Sequence, residues 1–270
     1  MSKNKNKQGN SWKISQNFLT SRSLNERLIL KAGLTRQDTV LEIGAGKGHI
    51  TKLLAQCCKQ VLAYEIDPVL YEGLASQLPQ NVQLVHADFL RCTLPQGEYK
   101  VFANIPFSRT TEIIRKLTNG VPPPTEMYLV LEEGAAKRFC GIPRENLNSL
   151  SLRPFFEAEI LHRFRREDFH PAPRVDTVLL ALRCRAAPDI EWQYRAQYRA
   201  FLQHCFQYGL RGSRALLTPK QISTALKLAQ LPPLAPTGEV LYVQWLCLFR
   251  CWQKYGKPLP DPPRKQLRRP

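Results

Sequence analysis

Two short segments carry side chains that could do chemistry. They are Gly44-Ala45-Gly46-Lys47-Gly48, after the apolar run Leu41-Glu42-Ile43, and Asn104-Ile105-Pro106-Phe107 further along. Glycines accept positive φ and let another group approach the backbone, so Gly44 and Gly46 suit a tight turn against a bound nucleoside. The third glycine position of the dinucleotide fingerprint is missing. Glu65 ends the next apolar run, where a carboxylate can take both hydroxyls of an unphosphorylated ribose. Asp88, in His86-Ala87-Asp88-Phe89, can accept an adenine amino group while Ile66 and Phe89 sandwich the ring. A glycine loop followed by one acid at each of two strand ends suits S-adenosylmethionine better than NAD. The competing reading is a structural helix start with solvated carboxylates.

The exocyclic amine of a nucleobase is a poor nucleophile because its lone pair is delocalised into the ring. The Asn104 side-chain oxygen and the Ile105 carbonyl can each accept one of its N–H groups and aim the nitrogen at a sulfonium methyl. Pro106 fixes the turn and restricts Ile105 to an extended conformation. Phe107 offers a ring face to an extracted base, a contact that contributes about 1–3 kcal/mol. Phe169, ahead of His170-Pro171-Ala172-Pro173, is expected as the opposite wall, the alternative being a core phenylalanine. Such a transfer needs no metal and no Ser or Cys nucleophile, and no metal site is expected. The five histidines share no spacing and read as solvated or satisfied, while adjacent Glu132 and Glu133 read as pointing apart on a strand.

Thirty-nine Lys and Arg against 22 Asp and Glu give a net charge of +17, which favours nucleic acid as the carrier of that base over a merely basic surface. Apolar runs long enough to cross a membrane are absent and the Lys-rich start leads into polar residues, so a cytoplasmic protein without membrane attachment is expected. Eight cysteines without Cys-x-x-Cys spacing read as reduced thiols.

These groups need a scaffold that brings strand ends together. The pattern predicts a helix opened by a Ser23-Leu24-Asn25-Glu26 capping box and ended near Gly33, then strand 39–43 and helix 47–58. Strand 60–66, helix 68–78 capped by Asp67, strands 82–87 and 99–104, helix 110–119 and strand 126–132 follow. Two apolar segments, 158–164 and 175–183, read as an antiparallel pair at the sheet edge. Helices are expected over 191–209, from a Thr218 cap to about 230, and over 238–255. This alternation implies an α/β fold, a doubly wound and mainly parallel Rossmann-like sheet, followed by a small all-helical domain. The expected divisions are a basic arm at 1–13, a cofactor-binding domain at 14–186, a helical RNA-binding domain at 187–257 and a basic Pro-rich tail at 258–270.

With these residues in view, the chain resembles the Erm (erythromycin-resistance) methyltransferases, which N6-methylate a specific adenine of 23S ribosomal RNA. The likeness runs through Ser15-Gln16-Asn17-Phe18-Leu19, residues 42–51, Glu65-Ile66-Asp67, Asp88, Asn104-Ile105-Pro106-Phe107, Ala136-Lys137-Arg138 and Phe169-His170-Pro171. It implies cofactor contacts from Gln16, Asn17, Leu19, Gly44, Glu65, Asp88 and Asn104; the Gln16–Leu19 element has no such meaning when read from its residues alone. It also implies macrolide, lincosamide and streptogramin B resistance as the outcome. Lys137 and Arg138 are expected to contact RNA, and a monomer is expected. Relatives that dimethylate small-subunit ribosomal RNA share most motifs, but the Gly-Lys-Gly-His and Asn-Ile-Pro-Phe forms here favour Erm. Phe107 stands where many members have tyrosine. The alternatives are a 16S rRNA dimethyltransferase and a noncatalytic RNA- or transcription-binding factor of the same fold.

Overall fold

The structure, a computed structural model, describes residues 17–235 and 239–260. Gln16, the arm and most of the tail lie outside the described residues. In chain order the elements are β1 (Phe18–Leu19), α1 (Arg22–Lys31), β2 (Thr39–Ile43), α2 (Thr51–Cys57), β3 (Gln60–Glu65), α3 (Pro68–Ala75), β4 (Val82–His86), β5 (Lys100–Asn104) and α4 (Thr110–Thr118). There follow β6 (Glu126–Glu132), α5 (Glu133–Cys140), α6 (Leu147–Leu152), β7 (Phe156–Arg163), β8 (Phe169–His170), β9 (Thr177–Cys184), α7 (Arg195–Tyr208), α8 (Pro219–Leu228) and α9 (Tyr242–Tyr255).

Seven strands form one sheet in the order β4-β3-β2-β5-β6-β9-β7. The first five are mutually parallel; β9 runs antiparallel to both β6 and β7, with an irregularity in β7 between Ile160 and His162. The central strands are apolar almost throughout, as burial on both faces demands, and Val40, Leu41, Val101, Leu129 and Val130 are fully buried. Strand order reverses between β2 and β5, so the crevice of this open sheet lies at their carboxyl ends. Gly44 follows one of those ends and Asn104 closes the other. A separate two-stranded ribbon pairs β1 with β8, placing Leu19 opposite Phe169 and Phe18 opposite His170.

Local chemistry explains most boundaries. The Asp67 carboxylate caps α3 by accepting from Val69 N at 2.9 Å, with Pro68 in the first turn. Helix α4 buries Thr110, Ile113, Ile114, Leu117 and Thr118, a stripe at helical spacing. Other expectations are corrected. Helix α1 is capped two residues before Ser23 and starts at Arg22, because Ser21 Oγ accepts from Leu24 N. Helix α2 begins at Thr51, not 47, since Gly44, Gly46 and Gly48 all have positive φ, which no helix accommodates. Glu132 and Glu133 do not lie together on a strand: β6 ends at Glu132 and Glu133 opens α5, which Gly141 terminates in the left-handed conformation. Neither α5 nor α6 is anticipated by the sequence pattern. Helix α7 begins after a 3₁₀ turn at Trp192–Tyr194, and α9 begins at Tyr242 rather than 238.

The chain divides into two compact units. One comprises residues 1–142 and 156–185, and holds both sheets. The other comprises 143–155 and 186–270, so α6 and its flanks group with the helical unit rather than with a continuous 14–186 segment. The helical unit has its own aromatic core: Phe201 of α7 packs 5.3 Å from Trp252 and 5.7 Å from Phe249 of α9, and Tyr198 lies 5.0 Å from Phe249. Full burial of each such ring stabilises the unit by about 1.5–3 kcal/mol. No described helix is long and apolar enough to cross a membrane.

Candidate active site

The turn after β2 is built against β3. Gly44 N and Ala45 N both donate to Tyr64 O, at 2.8 and 3.0 Å, and Gly48 N donates to Ala45 O at 2.9 Å. Gly46, at φ +58°, admits no side chain: a Cβ there would sit 2.8 Å from the Phe18 ring. Phe18 therefore packs against the glycine turn, with Lys47 Nζ 5.2 Å from its centroid. The arrangement is a cradle of bare backbone, as a closely approaching ligand requires.

Glu65 ties this cradle to the next strand end. Its buried carboxylate accepts from Gly46 N at 2.7 Å through Oε2, and from Ile66 N at 2.9 Å and Asp67 N at 2.8 Å through Oε1. Oε1 is thus saturated, while Oε2 keeps a lone pair for a hydroxyl donor. Glu42, in the neighbouring strand β2, is only 1% exposed, and among the described residues neither its Oε2 nor Thr51 Oγ1 has a partner in bonding geometry. Burial pushes the Glu42 carboxyl up to about 8; the neighbouring Glu65 charge adds to the rise, and the nearby Thr51 hydroxyl opposes it. The shift favours the protonated form of this acid, which can donate.

At the end of β4, Asp88 Oδ1 accepts from Leu90 N at 2.9 Å and so caps the 3₁₀ turn Phe89–Arg91. Among the described residues Oδ2 has only Arg91 at 3.7 Å, a largely exposed guanidinium that water can displace. The expected ring sandwich is corrected. Ile66 is 41% exposed and free to cover a ring, but Phe89 is 4% exposed, meets Tyr64 edge-on at 5.5 Å and carries Lys116 Nζ 4.9 Å from its centroid. Lys116 also donates to Phe89 O at 2.7 Å and to Cys92 O, fastening this turn to α4. No sequence spacing points to Lys116, whereas Glu42 is legible as an acid inside a strand that is otherwise buried.

At the end of β5, Asn104 Nδ2 donates to Asn17 O at 2.7 Å. With its amide nitrogen committed, Oδ1 is the acceptor left for a substrate, and no donor among the described residues engages it. Ile105 is buried and its N–H is held by Val130 O at 3.2 Å, which anchors the residue whose carbonyl precedes Pro106. Pro106, at φ −63° and ψ 121°, opens a 3₁₀ turn, and Thr110 Oγ1 donates to Phe107 O at 3.0 Å, holding the half-buried Phe107 in place. Gly44 and Asn104 are close: a Cβ on Gly44 would lie 3.9 Å from Asn104 O. The turns after β2 and β5 thus share one crevice.

The segment 17–19 joins this crevice from remote sequence. Asn17 holds Asn104, Phe18 lies on the glycine turn, and the Leu19 carbonyl accepts from the buried Asn25 Nδ2 at 3.2 Å. Phe169, opposite Leu19, is corrected from an open wall to a core side chain: it is 4% exposed and edge-on to Phe164 at 5.2 Å. Pairing between β1 and β8 brings it near the site, but its ring faces are covered. Lys137 and Arg138 lie in the last turn of α5. Lys137 and Arg163 both reach Glu133 Oε1 at 3.2 Å, and the Lys137 hydrogen bond above all holds the Glu133 carboxyl below its usual range.

An adenine nucleoside fits these residues: a bare-backbone turn, a carboxylate with one free lone pair, an unpartnered buried acid beside it, and a second carboxylate at the next strand end. The adjoining Asn104 turn fits a planar amine. A family model described as ribosomal RNA adenine dimethylase matches residues 7–251. The rRNA adenine N-6-methyltransferase of Limosilactobacillus reuteri is 34% identical over 91% of this chain and 98% of its own length. That of Escherichia coli is 36% identical over 89% and 95%. The solved 23S rRNA methyltransferase ErmE superposes with a TM-score of 0.72 at 30% identity, covering 88% of this chain and 100% of that one. A dimethyladenosine transferase from Plasmodium falciparum, 20% identical with a TM-score of 0.66 over 82% and 85%, shares the fold. The fold is that of the Rossmann-like methyltransferases, and the chain belongs to the ribosomal RNA adenine dimethylase family as an Erm-like rRNA adenine-N6 methyltransferase.

Proposed function

We propose that this enzyme transfers methyl from S-adenosylmethionine to N6 of a specific adenine in 23S ribosomal RNA, in the cytoplasm and as a monomer, giving resistance to macrolide, lincosamide and streptogramin B antibiotics. The observation that carries the chemistry is the Asn104 amide, whose nitrogen is held by Asn17 O, leaving Oδ1 as an acceptor for a substrate amine. The 23S assignment is supported by 30% identity to ErmE along that protein's full length.

Bound cofactor supplies a methyl already activated on a sulfonium leaving group. Glu65 takes the ribose, Gly44 and Gly46 admit the cofactor to the backbone, and Asp88 Oδ2 reads the adenine amine, with Ile66 as one wall. Asn17 and Leu19 close over it. Asn104 Oδ1 and Ile105 O each accept one N–H of the target amine, drawing its lone pair out of the ring, while Phe107 stacks on the extracted base. The sheet-bearing unit performs these steps, the helical segment 187–257 and the arm at 1–13 hold RNA, and Lys137 and Arg138 add phosphate contacts.

The test is antibiotic susceptibility of a sensitive bacterial host. Expression of the native chain should raise the erythromycin concentration needed to stop growth, and Asn104→Ala should abolish the rise. Equal susceptibility with and without the native chain, at matched expression, contradicts the 23S reading.

A further inference from the structure

The helical unit contains a cavity of about 970 Å³, lined wholly by that unit among the described residues. Its size is at the upper end of small-ligand sites. Phe206 and Trp245 line it, stacked at 5.7 Å with an 18° angle between rings. Trp245 is 6% exposed, whereas Phe206 is 48% exposed. A ring laid flat on a buried indole, with its other side toward solvent, is a rigid platform for a further flat group. The neighbouring Tyr242 is different: the Arg153 guanidinium already lies 4.4 Å from its centroid and pairs with Glu145.

Charge selects among occupants. Arg144 and Arg211 also line the cavity, both exposed and neither within salt-bridge distance of a carboxylate among the described residues. Glu239 is the other acid of the lining, so the guanidinium groups outnumber the carboxylates. Guanidinium groups beside an open ring match the two parts of a nucleotide, phosphate and base, and do not match an apolar peptide. A concavity of this kind can swallow one splayed-out base but meets a base-paired helix only at its rim.

We propose that this cavity binds an unpaired nucleotide of the RNA substrate other than the target adenine, its base stacked on Phe206 and its phosphate held by Arg144 and Arg211. The proposal rests on the rRNA reading of the enzyme but not on which ribosomal subunit is modified. It gives the helical unit a means of choosing RNA that carries an unpaired nucleotide besides the target adenine.

The experiment uses the full chain and a fluorescently labelled single-stranded RNA of mixed sequence, with a blunt duplex of the same sequence for comparison. Phe206→Leu keeps an apolar contact for Trp245 but removes the stacking face, and Phe206→Tyr keeps both. The leucine variant should bind the single strand about ten-fold more weakly, within the range expected for one base–aromatic stack, and the duplex as the native chain does. The tyrosine variant should retain native affinity. Arg144→Glu with Arg211→Glu should weaken the single strand and flatten its salt dependence. Calorimetric cofactor affinity should be unchanged in all three. Native single-strand affinity in the leucine variant, or an equal loss for both RNAs, overturns the cavity assignment alone. A native chain that binds neither RNA overturns the rRNA reading with it.

Discussion

Glu65→Ala separates two roles that the structure assigns to one carboxylate. The side chain is 4% exposed and accepts three backbone N–H groups, from Gly46, Ile66 and Asp67. Each bond to a charged acceptor contributes about 1.5–3 kcal/mol when removed singly. The three share one group and are not additive, and water entering the emptied site restores part of them, so a net loss of about 2–4 kcal/mol is expected. That corresponds to a melting midpoint lower by roughly 5–15 °C in a domain of this size. Loss of the ribose partner should separately weaken S-adenosylmethionine binding by roughly ten- to hundred-fold. Scanning calorimetry reads the first effect. Titration calorimetry well below the transition reads the second, and RNA binding measured at the same temperature should fall far less than cofactor binding. A lowered midpoint with unchanged cofactor affinity would reduce Glu65 to a staple for the glycine turn, and no change in either would refute the geometry.

Asn104→Ala should cost about 10²–10³ in methyl-transfer rate while cofactor affinity and the melting midpoint change little; single-turnover kinetics with saturating RNA measures it, and a near-native rate removes Asn104 from the mechanism. Glu42 is predicted to make stability pH-dependent. Its folded pKa of about 8 lies above its ordinary value of 4.5, so its contribution is complete below pH 4.5 and disappears as pH rises through 8. Glu42→Gln, neutral throughout, should remove that slope in urea unfolding, and an unaltered slope would show that another group causes it. Charge reversal at Lys137 and Arg138 should weaken RNA binding and flatten its salt dependence, by up to about 0.9 logarithmic units for each phosphate no longer neutralised, without moving the methylated position.

Much of the site is legible in the sequence because its residues sit at strand ends in short, chemically distinctive runs. Strand β2, the Asp67 cap and the Asn104 turn are readable from local pattern alone, since capping chemistry and full burial of a strand leave marks on consecutive residues. What escapes such reading is long-range or interrupted. Helix α5 carries a glycine at its second position and α6 spans only six residues, so neither shows a helical period long enough to recognise. The covered faces of Phe89 and Phe169 depend on Lys116, Tyr64 and Phe164, partners whose placement no local spacing encodes. The Asn17 carbonyl that orients Asn104 is a backbone atom 87 residues away, invisible to any reading of side-chain types.

The most direct test of the central claim is to incubate the purified chain with deproteinised ribosomal RNA and isotopically labelled S-adenosylmethionine, then locate the label by nuclease mapping and mass spectrometry. The expected result is N6-methyladenine or its dimethyl form at one adenine of 23S rRNA, with none in 16S rRNA. Label confined to 16S rRNA, or on an atom other than N6 of adenine, would contradict it.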